Sequence, residues 1–258
     1  MSNYVFKIFS TRGVRFGRLL DTIYRFWSSY AITYEFRRRL AGQIDFLDVG
    51  GRDGGTLRLL HALGLGGSYT CMDLKPDLQQ GRRLGFDVEA VSADYKTFQT
   101  DKSFDAVLFE SSLEFSDNYG ADLSWLAGAL KDNGFALVTV ITPGTSGLYP
   151  GFYAAGGFNG ISHDQIKPAF EVVGLKVDSC YPLMGRAGRL GQYYLQLKLG
   201  RIIKGLWNKS IGALFPICRQ YNPVLLYNLL INVASVPLDF LFRGNPVGHC
   251  IVLQKIKP

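Results

Sequence analysis

From residue 44 to residue 181, short apolar runs alternate with amphipathic ones. The strand-like runs are Ile44–Val49, Ser68–Met72, Val88–Val91, Phe104–Phe109, Phe135–Ile141 and Leu175–Cys180. Helix-like runs lie between them at Thr56–Leu63, Asp77–Leu84, Ala121–Leu130 and His163–Val173. Strands that alternate with helical patterns must pair in parallel, and the helices must then cover both faces of the sheet. Three helix boundaries have residue signals. Asn133-Gly134 stands as a stop after Leu130. Ser162 is an N-cap with Gln165 at capping-box spacing, and Gly174 ends the same helix. His249–Ile256 reads as a closing strand.

The first strand runs into Asp48-Val49-Gly50-Gly51-Arg52-Asp53-Gly54-Gly55. Glycines let the backbone turn tightly and approach a ligand closely. The helix that follows points free N–H groups the same way. Open α/β sheets bind ligands at the carboxyl ends of their strands, so residues just past each strand end are the candidate site. Asp73, with Leu74 beside it, ends the second strand and suits the two hydroxyls of a ribose. Asp94 and Tyr95 end the third; the carboxylate could accept from an adenine amino group and the ring could lie beside the base. Glu110 ends the fourth, and Glu114 follows shortly after. A dinucleotide turn wants Gly-x-Gly-x-x-Gly, which the spacing from Gly50 does not supply.

These residues resemble the class I S-adenosylmethionine-dependent methyltransferases, in particular the small-molecule and lipid methyltransferase group. The family's acid-x-Gly-x-Gly-x-Gly turn is matched by Asp48 to Gly54, with Arg52 in place of the middle glycine. Asp73 matches the ribose-binding acid and Asp94 the adenine-contacting one. Phe104–Leu108 with Ser112–Phe115, Leu130–Leu137 and Phe158–Gly174 resemble later family segments. The resemblance implies a Rossmann-like seven-stranded sheet of order 3-2-1-4-5-7-6 with strand seven antiparallel. It implies S-adenosylmethionine as cofactor, held by Asp48, Gly50, Gly51, Arg52, Gly54, Asp73, Leu74, Asp94, Tyr95 and Glu110. It does not name the acceptor. His163, which opens a helix, and Glu110 are the candidate catalytic residues; Glu114 and Tyr153 are lesser ones.

Around this core the organisation is expected to be an N-terminal basic and aromatic helical cap over 1–43, a methyltransferase domain over 44–258, and a helical insertion over 182–247. Charge follows that division. Residues 1–40 carry eight Lys/Arg and two acids, residues 41–180 ten and eighteen, and residues 181–258 ten and one. Basic flanks of this kind suit an anionic membrane surface or a polyanion. Arg37-Arg38-Arg39 close an aromatic helix over Leu19–Leu40, a pairing favoured at a membrane boundary. The apolar run from Val224 to Val236 is too short to span a bilayer, which needs about 20 apolar residues, and Asn228 and Asn232 within it share one helical face. The acceptor is therefore expected to be a small molecule, a glycolipid or a polyprenyl-type lipid. An RNA methyltransferase and a non-enzymatic cofactor-binding partner subunit are the alternatives, although no base-amine motif or RNA-binding module points to nucleic acid. The four cysteines and three histidines show no metal-ligand or disulfide spacing, so no metal is expected. With no cleavable signal or membrane span in the sequence, the expected location is cytoplasmic, with the inner face of the membrane as an alternative seat.

Overall fold

The computed structural model describes residues 23–40, 42–51, 54–65, 67–76, 86–98, 100–110, 112–142, 161, 163–185, 188, 191–199, 202–203, 205–206, 223–241 and 246–256. Two compact units emerge. One holds Ala31–Tyr181 and the final strand; the other holds Pro182–Val247 and the start of the first helix.

The first unit is built on a seven-stranded sheet. Its strands are β1 (Ile44–Val49), β2 (Gly67–Asp73), β3 (Val88–Ser92), β4 (Phe104–Glu110), β5 (Leu130–Ile141), β6 (Leu175–Leu183) and β7 (Gly248–Lys255), in the order β3-β2-β1-β4-β5-β7-β6. The pairs β1–β2, β1–β4, β2–β3 and β4–β5 are parallel, and β7 runs antiparallel to β5. This is the Rossmann-like order and direction implied above. β1, β4 and β5 are buried along almost their whole length, which is why they read as unbroken apolar runs. β3 lies at the edge, and Glu89 within it is exposed.

Helices flank the sheet. α1 is Ile23–Arg39, α2 Gly55–Ala62, α3 Tyr119–Ala129 and α4 His163–Val172. The Asp77–Leu84 helix and the Ser162 cap lie outside the described residues. Gly174 ends α4 at φ 76°, its N–H donating to the Glu171 carbonyl at 3.2 Å. Asn133-Gly134 does not act as a helix stop. α3 ends at Ala129 because Leu130 is already extended, at φ −86° and ψ 138°. Asn133 instead takes φ 62° inside β5, near the register shift between Phe104 and Ala106.

One face of the sheet packs Val138, Val140 and Ile251 with Leu123, Leu126, Ile166 and Phe170 from α3 and α4. On α1, Phe36 meets Phe46 and Phe135 edge-on, with ring centroids 4.9 and 5.4 Å apart. The arginines that close α1 are engaged within the protein. Arg39 Nε donates to Glu35 Oε2 at 2.7 Å and Arg38 to the same oxygen at 3.0 Å. Both also pair with Asp178, and the Tyr181 hydroxyl donates to Glu35. A carboxylate buried this completely pays a desolvation penalty that raises its pKa. The hydrogen bonds from Tyr181, Arg39 and Arg38 outweigh it and hold Glu35 below the ordinary value. The charge of Arg38 and Arg39 is thus matched by this chain's own carboxylates.

Glu35→Ala should lower stability by about 1–3 kcal/mol in urea melts at pH 7, the cost of stranding its donors. Because its folded pKa is depressed, the wild-type contribution is present above 4.5 and fades as pH falls further.

Candidate active site

Parallel register brings the strand ends level. Val49 pairs with Met72 and Phe109, Asp73 with Ser92, and Glu110 with Thr139. At this edge β1 breaks into its turn. The Gly50 and Gly51 N–H groups donate to the Met72 carbonyl at 2.8 and 3.3 Å, so the turn folds back over β2. Gly50 has φ 74°, and a Cβ there would lie 2.5 Å from Ser112 Oγ. A Cβ on Gly51 would lie 2.7 Å from the buried Asp48 carboxyl and 2.8 Å from Cys71 Sγ. Gly54 takes φ 65° and opens α2 without a side-chain cap. The positive end of the helix dipole is thus turned to this edge, the form that suits an anionic or polar ligand. Arg52 and Asp53 lie outside the described residues.

The acids at the next two strand ends are held alike. Asp73 Oδ1 accepts from the Lys75 N–H at 2.9 Å, and Asp94 Oδ1 from the Lys96 N–H at 3.0 Å. That leaves Oδ2 of each as an acceptor. The Asp73 carbonyl also accepts from the Ala93 N–H at 3.1 Å, which ties the two turns together. Leu74, next to Asp73, is exposed. Tyr95 turns into the core: its ring lies edge-on to Phe109 at 5.0 Å and its hydroxyl donates to Asp122 at 2.8 Å. Glu110 accepts from Thr56 Oγ1 at 3.3 Å, joining the end of β4 to the first turn of α2.

Two features of this edge were not legible from motif spacing. The first is the burial of Glu114. Its Oε1 accepts from the Ile141 N–H at 2.9 Å, and its Oε2 is buried without a hydrogen-bond partner among the described residues. Burial pushes its pKa up to about 8; backbone hydrogen bonds oppose the rise and nearby Glu110 adds to it. Glu114 is therefore a neutral acid at pH 7. The second is a histidine pair. His163 opens α4, and His249 lies on β7 opposite Val140 of β5. Their ring centroids are 6.0 Å apart. His163 Nδ1 lies 3.5 Å from Asp164 Oδ1. His163 Nε2 and His249 Nδ1 are buried without hydrogen-bond partners among the described residues. Desolvation first, and then the neighbouring His163, lower the pKa of His249, with Asp164 opposing them. The antiparallel seventh strand is the signal that could have found His249, because it turns that strand's beginning toward the edge where β5 ends.

The chain matches the model of a family described as a methyltransferase domain over residues 17–179. The chain belongs to the class I S-adenosylmethionine-dependent methyltransferases. A search of curated proteins finds no match. Several solved structures share the fold. A candidate sarcosine dimethylglycine methyltransferase from Galdieria sulphuraria aligns at 14% identity and TM-score 0.58, over 90% of this chain and 86% of the other. Coclaurine N-methyltransferase bound to N-methylheliamine and SAH aligns at 15% and 0.56, over 88% and 72%. The [4+2]-cyclase SpnF aligns at 16% and 0.54, over 88% and 81%. One architecture thus carries more than one chemistry.

S-adenosylmethionine is the cofactor of this family, and the residues at the turn fit it. A Cβ at Gly50 or Gly51 would close the cradle against Ser112 or Asp48, and Asp73 and Asp94 present acceptors at the following strand ends.

Two measurements check the edge. Gly50→Ala places a side chain at a left-handed position, which should cost about 1–2 kcal/mol in chemical denaturation and weaken cofactor binding in calorimetry. For Glu114 the folded pKa lies above the unfolded one, so its favourable term is full below 4.5 and is lost as pH rises toward about 8. The isosteric Glu114→Gln should flatten that decline by on the order of a few kcal/mol, read as denaturation midpoints between pH 5 and 9.

Proposed function

We propose that this protein transfers the methyl group of S-adenosylmethionine to a small-molecule acceptor of amphipathic or lipid-linked type, such as a glycolipid or polyprenyl compound. The observation that carries the methyl-transfer reading is the convergence of Gly50, Gly51, Asp73 and Asp94 at one sheet edge. Asp73 accepts from ribose hydroxyls and Asp94 from the adenine amine. Gly50, Gly51 and Gly54 admit the cofactor's backbone-facing part, with Asp48, Leu74 and Glu110 around it.

Bound S-adenosylmethionine supplies a methyl carbon on a good leaving group. The protein's task is then to hold the acceptor atom in line with that carbon and to receive any proton it gives up. His163 is the group we assign to the proton: its Nε2 is buried, and the His249 ring lies 6.0 Å away. Glu110, bonded to Thr56 at the first turn of α2, is the second candidate. The neutral Glu114 acid beside the end of β5 offers a hydrogen bond and adds no negative charge. The basic flanks and the apolar segment after residue 182 favour an acceptor with a lipid portion.

Labelled S-adenosylmethionine incubated with fractionated lipid, sugar and RNA extracts tests the acceptor. Label should enter the lipid or small-molecule fraction. Label in RNA would establish nucleic-acid methylation instead, and binding without any labelled product would make the chain a cofactor-binding partner subunit. Within the site, Asp73→Ala should raise the cofactor Kd by about 10–100-fold. His163→Ala should lower kcat by on the order of 100-fold while leaving that Kd unchanged; an unaltered kcat would remove His163 from the reaction.

A further inference from the structure

The second unit contains a helix turned inside out. α5 spans Pro223–Leu241 and runs through Pro237. Successive residues advance by about 100° around a helix axis. Leu230, Val233, Ala234, Pro237, Leu238 and Leu241 therefore fall on one face, and all are exposed. Leu230 is 62% exposed, Val233 57% and Leu241 75%. Asn232, Ser235 and Asp239 fall on the opposite face. Asn232 and Ser235 are buried, and Asp239 is half-buried.

The inward polar groups have partners. Gln196 Nε2 donates to Asn232 Oδ1 at 2.6 Å, and Ser235 Oγ donates to the Asn232 carbonyl at 2.7 Å. The Gly188 N–H donates to Asp239 Oδ1 at 2.7 Å. A helix on a water-facing surface puts its apolar stripe inward and its polar face outward. α5 does the reverse. The π-helical segment Gly191–Leu199 follows suit, burying Gln196 and exposing Tyr194, Leu195 and Leu199. The Tyr227 hydroxyl joins the two by donating to the Leu195 carbonyl at 3.1 Å.

Charge narrows what covers this surface. Residues 182–247 carry eight Lys/Arg and a single acid, Asp239, which faces inward. Lys198 is exposed and lies 5.2 Å over the Tyr194 ring. An apolar helix face on a strongly basic segment is the composition of an interfacial helix. Such a helix seats its apolar side among acyl chains while Lys and Arg meet anionic headgroups. No helix among the described residues is long and apolar enough to cross a bilayer.

We propose that the outward face of α5, with the adjoining Tyr194–Leu199 surface, docks on an anionic lipid bilayer. It lies on the surface and does not span it. The proposal deepens the lipid-linked acceptor reading, since a membrane seat brings the enzyme to such an acceptor, yet docking itself needs no methyl transfer.

The test is flotation of the full chain with vesicles of phosphatidylcholine alone or with about 30% phosphatidylglycerol, at low and high salt. The expected result is co-flotation with the anionic vesicles at low salt, weakened by salt. The double variant Leu230→Glu, Leu241→Glu should reduce it by about tenfold or more. Cofactor titration of the same variant should remain as in the wild type, showing that the fold is intact. Should the double variant fail to fold, Leu241→Ser alone, at the most exposed position, should reduce flotation severalfold. No co-flotation with anionic vesicles, or equal flotation of a folded double variant, would overturn the proposal. So would a concentration-dependent dimer in light scattering that Leu241→Ser dissolves while vesicles capture nothing, since a second copy would then be the occupant. Vesicle binding without cofactor binding would leave docking standing and sink the methyl-transfer reading.

Discussion

The parallel pairing of β1 between β2 and β4 is the constraint on which the site depends. Because the strands run the same way and in register, their carboxyl ends stop at nearly one level. Gly50 and Gly51 just beyond β1, Asp73 and Glu110 closing β2 and β4, and Asp94 two residues past β3 are thereby brought to one edge. The turn at Gly50 is fixed from both sides: the Met72 carbonyl takes its N–H, and Ser112 closes the space where a side chain would sit. A shift in the register of β2 or β4 would separate Asp73 and Glu110 from the turn even with every residue intact.

Burial of polar groups marks the rest of the edge. Glu35 and Glu114 are both buried carboxyls, and their partners set them apart. Glu35 meets two arginines and a tyrosine hydroxyl, so the charged form wins. Glu114 meets one backbone N–H and a neighbouring carboxylate, so the protonated form wins. The same logic separates the arginines of α1 from the basic residues after 182. Arg38 and Arg39 are matched by Glu35 and Asp178, whereas the later segment has one acid for its eight basic residues. The two basic flanks identified in the sequence thus differ in composition: the second has a single acid, Asp239, within its own span.

Much of the fold was legible because strand runs in a doubly covered sheet are apolar on both faces. β1 is recovered at both of its ends, β3, β4 and β6 at their first residue and β5 at its last, and the remaining strand ends differ by one to five residues. The start of β5 was the widest miss. Residues 130–134 look like a helix end and a turn, and only pairing with β4 shows that the strand begins at Leu130. That Asp48, Asp73 and Asp94 lie at or near strand ends was legible, since such a position is a property of order along the chain. The neutral state of Glu114 and the meeting of His163 with His249 were not, because 26 residues separate Glu114 from the Ile141 N–H that receives it, and 85 separate the two histidines.

What the sequence by itself determined is local and periodic: alternating runs give the class of sheet, glycines give the turn, and the resemblance carried by that turn and the acids at strand ends implies the cofactor. Apolar content also marked the segment from Pro223 as helical and unfit to span a bilayer. Tertiary structure decided which way that helix faces. Its polar residues share one side whichever way it is turned, and only packing against Gly188 and Gln196 shows that side to be the inner one. A helix of one composition can rest on water or on lipid, and the choice lies in what its neighbours leave exposed.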